Sequence, residues 1–177
     1  MIVKIYSNSL RFLFLVLLQV IILNHVQWSG YVNPYVYILL ILLLPIETPK
    51  WLVLLLAFLT GITIDMFGNT SGLHAAATTL MAFARPKVLK LISPRDDYEA
   101  ETALTPQKMG LKWFIAYVSI LTLIHHLFYF YVEVFRFSEF FQTSFKAILN
   151  SAITILLILA GVYLFGKKSK SNERIIG

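Results

Sequence analysis

Asp65, His74 and His126 are side chains in this sequence whose types could hold a metal ion or pass a proton within apolar surroundings. Asp65 ends the stretch WLVLLLAFLTGITID, which carries no other charge, and a bare carboxylate in hydrocarbon costs at least ~2.5–3.5 kcal/mol. It must therefore face protein, water or a partner. A metal site normally shows ligands at a diagnostic local spacing, and these three show none. The adjacent pair His125 and His126 would diverge by about 100° on a helix and cannot chelate as residues four apart do. Three readings stay open. Asp65 hydrogen-bonds hydroxyls, amides or His74 and pins one helix to the next; it lines a polar pocket for a partner or ligand; or it joins His74 and His126 in a proton relay or metal site. Enzyme signatures are absent, with no phosphate-cradling glycine loop, no HExxH and no nucleophile elbow. With no cysteine there is no thiolate site and no disulfide either. The expectation is a non-enzymatic chain without a cofactor.

The elements that must position these residues are apolar. At 177 residues, 58% hydrophobic and 15% aromatic, the chain has too little polar surface to cover a soluble globule. It belongs in a lipid bilayer. Segments with the roughly 20 apolar residues of a spanning helix lie near 10–29, 31–46, 51–68, 72–92, 111–135 and 145–166, which predicts an all-α, polytopic bundle of six transmembrane helices forming one integral membrane domain over 1–177. The second span is short, opened by Pro34 and closed by Pro45 and Pro49. In the fourth only 72–84 is free of strong charge before a break at Arg85-Pro86-Lys87, so a re-entrant or interfacial helix is an alternative there. Lys4 and Arg11 before the first apolar run resemble a signal peptide, but no small-residue cleavage site follows, and the first helix is expected to be retained.

Charge sets the expected orientation. With six spans and both termini cytoplasmic, 13 of the 15 basic residues lie inside, leaving Arg136 and Lys146 outside. The cytoplasmic side then holds a linker over 93–110 and a basic tail over 167–177. The net charge of +6 belongs to membrane flanks, not to a basic face interleaved with stacking aromatics, so nucleic acid is not an expected partner. Arg85, Lys87, Lys90 and Arg95 form a basic patch suited to an anionic membrane surface, or simply snorkel at a helix end.

Within the spans the polar and small residues define faces. Ala57, Gly61, Asp65 and Gly68 form a stripe that lets another helix approach closely, and GNTSG over 68–72 turns the chain. Ser119, Thr122, His126 and Glu133 share a narrow arc, which makes His126 the inward histidine and turns His125 away. Gln19 sits midway along the first span, Asn24, His25 and Gln27 near its outer end, and Asn150, Thr154 and Gly161 on one face of the last. Polar groups thus gather toward the outer half.

Taken in order, LQVIILNHVQWSGYVNPYVYILLILLLP, the loop ETPKW, GITIDMFGNTSGLHAAATTLMAFARP and SPRD resemble the MreD family of bacterial rod shape-determining membrane proteins, over about residues 10–166. The carrying elements are Gln19 and the pattern Gly61-x3-Asp65-x6-Gly72. The resemblance implies a six-helix bundle similar to the substrate-binding subunits of energy-coupling-factor transporters, in the bacterial inner membrane. It also implies a scaffold role in lateral peptidoglycan synthesis beside MreC, MreB, RodA and a transpeptidase penicillin-binding protein. Gln19, Gly61, Asp65, Gly68, Gly72, His74 and His126 become the candidate structural or partner-interface residues. The alternative is a subunit that captures a vitamin or metal ion for transport. Such subunits carry a small-residue seam on their first helix, whereas 12–28 contains no alanine or glycine.

Overall fold

The structure, a computed structural model, describes residues 12–25, 32–93 and 104–165. The expected basic tail, Arg95, most of the expected linker and the beginning of the expected first span lie outside the described residues. So do Gln27 and the side chain of His25.

The described chain is all-α. Its helices are α1 (Phe12–Ile22), α2 (Leu39–Leu42), α3 (Lys50–Gly68), α4 (Leu73–Leu91), α5 (Pro106–Met109), α6 (Leu111–Val134) and α7 (Phe140–Phe165). By length and composition α3, α6 and α7 could each cross a membrane. Large apolar side chains such as Phe58, Met66, Phe83, Phe145 and Leu164 point outward from α3, α4 and α7, an arrangement that suits hydrocarbon and not water.

Two helices differ from the sequence expectation. A helix across 31–46 is realised only between 36 and 42, as a 3-10 turn (Val36–Ile38) running into α2. Seven residues make about 10 Å of helix, a third of a hydrocarbon core. Every residue from 35 to 42 is buried, so this piece is apolar all round because protein surrounds it. The expected break at Arg85-Pro86-Lys87 is also absent, and α4 runs through Pro86 to Leu91. Val88 and Leu89 beyond the proline are buried against the core and hold the helix on course.

Helix α3 packs on α4, α4 on α6, and α6 on α7. The seam on α3 is formed by Val53, Ala57, Thr60, Gly61, Ile64 and Asp65. Gly68 is not in it; it is exposed at the end of α3. At Gly61 the backbones meet, for a Cβ placed there would lie 2.6 Å from both the Ala75 nitrogen and the His74 carbonyl oxygen. Gly61 is therefore a requirement of the crossing. The expected linker is partly core, since Leu104 and Pro106 are buried.

Candidate functional site

The buried piece 36–42 accounts for several polar residues inside apolar helices. A helix start leaves its first amides without intrahelical acceptors, and here side chains of other helices supply them. Thr154 Oγ1 accepts from the Tyr35 amide at 3.1 Å, and Asn150 Oδ1 accepts from the Asn33 amide. Gln19 Oε1 accepts from the amides of Val36 at 2.9 Å and Tyr37 at 3.4 Å. Pro34 has no amide hydrogen, so every donor from 33 to 37 is answered. Gln19 spends its own two donor hydrogens on Asn24 Oδ1 and the Pro34 carbonyl, each at 3.0 Å.

Asp65 does for α4 what Gln19 does for 36–42. The residue at the cap position of α4 is Gly72, in the left-handed region (φ 85°), which no L side chain adopts easily and which has no side chain to offer. Asp65 reaches over from α3. Its Oδ1 accepts from the His74 amide at 3.1 Å and the Thr70 hydroxyl at 2.5 Å, and its Oδ2 accepts from the Ala75 amide at 2.8 Å. His74 and Ala75 supply the amides that an N-cap side chain ordinarily meets, and the carboxylate faces the positive end of the helix dipole. The Asp65 carbonyl also accepts from Asn69 and Thr70, closing α3. One residue thus ends a helix with its backbone and starts the next with its side chain.

Beside it lies a histidine and tyrosine cluster. The Tyr37 hydroxyl is within 3.0 Å of His74 Nδ1 and Thr78 Oγ1 and 2.9 Å of His125 Nε2. Thr78 donates its own proton to the His74 carbonyl. His125 Nδ1 is buried without a partner, so placing the ring proton on Nε2, toward Tyr37, avoids stranding a donor. His126 Nδ1 donates to the Thr122 carbonyl at 2.9 Å, which leaves Nε2 to accept from the Thr154 hydroxyl at 3.2 Å. The expectation that His125 points away is corrected here: both histidines are fully buried, because the Tyr37 side chain reaches His125 as well as His74 and Thr78 of α4 and gives α6 a second inward face. Glu133, placed on the inward arc from the sequence, is exposed and pairs with Lys146 at 3.4 Å.

Above this cluster opens a cavity of about 350 Å³, lined in part by Gln19, Asn24, Asn33, Thr70, His74 and Glu133. Its polar lining suits a small hydrogen-bonding molecule or a side chain of a partner. Among the described residues no three His, Asp or Glu side chains are placed to share a metal ion.

No protein-family model, curated protein or solved structure matches the chain.

The structure therefore brings Gln19, Asp65, His74 and His126 to one end of the bundle, with Gly61 at the crossing below and Gly68 and Gly72 in the turn above. It separates Arg85 from the rest of the expected basic patch. Lys87 and Lys90 are exposed, but Arg85 is 3% exposed, its guanidinium donating to the carbonyls of Leu44 and Pro45 and, at 2.9 Å, to the Tyr117 hydroxyl. Tyr117 passes its own proton to the Leu42 carbonyl at 3.1 Å. These acceptors are the carbonyls at and beyond the far end of 36–42, where a cation complements the helix dipole. Tyr37, Thr78 and Tyr117 escape the sequence reading. The broken helix signal YVNPY hints that nearby backbone groups need partners, but not which tyrosine hydroxyl supplies a bond.

Proposed function

We propose that this chain is a non-enzymatic membrane scaffold of the MreD type, crossing the bacterial inner membrane six times with both termini in the cytoplasm and the 350 Å³ cavity facing outward. The second crossing is the broken passage through 36–42. Its role is to bind MreC and, with MreB, RodA and a transpeptidase penicillin-binding protein, to support lateral wall synthesis and rod shape. The order and spacing of Gln19 and Gly61-x3-Asp65-x6-Gly72 support this reading. The observation that carries the non-enzymatic part is the bonding of Asp65, both of whose oxygens accept from the turn and first amides of α4. Such a group joins helices, with three of the carboxylate's roughly four acceptor sites committed to that joint. A scaffold works by presenting fixed helix faces to partner helices, and helices tied to one another by side-chain caps suit that task.

The polar cavity favours a second reading, a capture subunit that takes up a small ligand for transport. Affinity purification of the full chain in mild detergent separates the two. The scaffold predicts recovery of a single-span partner with a periplasmic domain; recovery of a pair of ATPases instead would replace it with the transport reading.

A further inference from the structure

A second cleft, of about 800 Å³, opens at the Arg85 end between the beginning of α3 and the last turns of α4. Its volume is on the scale of ligand sites, about 300–1,000 Å³. Val53, Leu54, Ala82, Phe83 and Leu89 give it apolar walls, while Lys50, Lys87 and Lys90 line it from exposed positions. The Lys87 ammonium stands 5.7 Å from the centre of the Phe83 ring, so charge and apolar wall adjoin. Among the described residues no carboxylate pairs with any of the three lysines. Arg85 adds a fourth positive charge to the lining, although its bonds go to Leu44, Pro45 and Tyr117. The start of α3 has no side-chain cap and contributes the positive end of its dipole.

Like charges at three-residue spacing, as in Lys87 and Lys90, repel unless an anion sits between them. A soluble anion would neutralise the lysines and leave the walls bare. An acyl chain alone would cover the walls and leave the lysines unanswered. We propose that this cleft binds an anionic phospholipid, with its phosphate among Lys50, Lys87 and Lys90 and an acyl chain along Val53, Leu54 and Phe83. Basic pockets between helices at a membrane surface recognise lipid headgroups by this division of labour. The proposal needs only that the bundle lies in a bilayer; it does not depend on the scaffold reading.

The test uses the full-length protein in neutral detergent, with retained lipid counted by native mass spectrometry after addition of phosphatidylglycerol or phosphatidylcholine at equal concentration. Wild type should retain phosphatidylglycerol selectively. Lys87→Gln with Lys90→Gln should cut that retention roughly tenfold or more, given the attraction each basic side chain contributes near a membrane surface. Lys108→Gln with Lys112→Gln removes the same charge from exposed positions elsewhere and should change it by less than about twofold. Phe83→Ala, which leaves the charge intact, should also weaken retention. Equal retention of the two lipids by wild type would overturn the proposal. An equal loss in the control pair would do the same, as would displacement of the lipid by inorganic phosphate or an oligoglutamate peptide at matched concentration.

Discussion

The two ends of the buried piece 36–42 solve opposite problems with different chemistry. At its start the orphan groups are amides, and uncharged acceptors from other helices answer them: Gln19 from α1, Asn150 and Thr154 from α7. At its finish the orphans are carbonyls, and a cation from α4 answers that of Leu44 while Tyr117 of α6 answers that of Leu42. Two residues do there what three do at the other end, and the guanidinium, with donors in a fixed fork, also bonds the Tyr117 hydroxyl that answers the second carbonyl. The comparison also explains the two charges that look misplaced in the sequence. Asp65 and Arg85 each sit within an apolar helix in order to cap a different one, and each meets the helix end of complementary sign.

The largest effect should come from breaking the frame that both ends share. Gly61→Leu places a branched side chain where even a Cβ would meet the backbone of α4, so α3 and α4 must separate. Overpacking costs about 1–3 kcal/mol, occasionally more, and backbone that cannot yield puts this case at the upper limit. Little folded protein should survive extraction, by gel-filtration yield in detergent; Gly61→Ala should already lower the thermal midpoint. A midpoint for the alanine variant at or above wild type would refute the close crossing.

Next is the arginine end. Arg85→Ala strands the buried Leu44 carbonyl and should cost up to about 3 kcal/mol, read as a drop in thermal midpoint. Arg85→Lys should recover only part, since an ammonium keeps the charge but loses the fork that spans Tyr117 and the carbonyls. Full recovery by lysine would show that charge alone matters there.

The aspartate end should be graded more finely. Asp65→Asn keeps one acceptor oxygen for Thr70 and His74 but turns an NH2 group toward the Ala75 amide. It should cost about 1–2 kcal/mol, and Asp65→Ala somewhat more, because all three donors lose their partner. An asparagine variant as stable as wild type would mean that the Ala75 bond contributes nothing. A variant of normal stability that fails to recover the partner would point to the charge itself.

Much of the helical layout is legible because long apolar runs bounded by glycine or proline have few other solutions. The expected 51–68 and 111–135 differ by a residue from the observed Lys50–Gly68 and Leu111–Val134. The run 36–44 is different: an apolar stretch wrapped by protein has the same composition as one wrapped by lipid, and only three-dimensional packing separates them. Arg85 misleads for a related reason. Beside Lys87 and Lys90 it looks interfacial, and its burial depends on carbonyls forty residues earlier in the chain. His125 misleads because helical periodicity alone defines one inward face for α6, whereas Tyr37 approaches from a second side. Asp65 could be found from its type and setting alone, but the amides it accepts from could not be singled out from the hydroxyls and His74 nearby.

The bonds from Asn33 to Asn150 and from Tyr35 to Thr154 join positions 117 and 119 residues apart. A ribosome adding about 5–20 residues per second needs roughly 6 to 24 s to make the second partner after the first. Throughout that interval the amides of 33 and 35 must find temporary acceptors, in water, headgroups or the insertion machinery, because hydrocarbon supplies none. The segment therefore has to enter the bundle late, after α7 has been synthesised. Its vulnerability to misassembly or proteolysis should be concentrated in that window, and removal of the last helix should leave an otherwise complete nascent chain unable to seat 36–42.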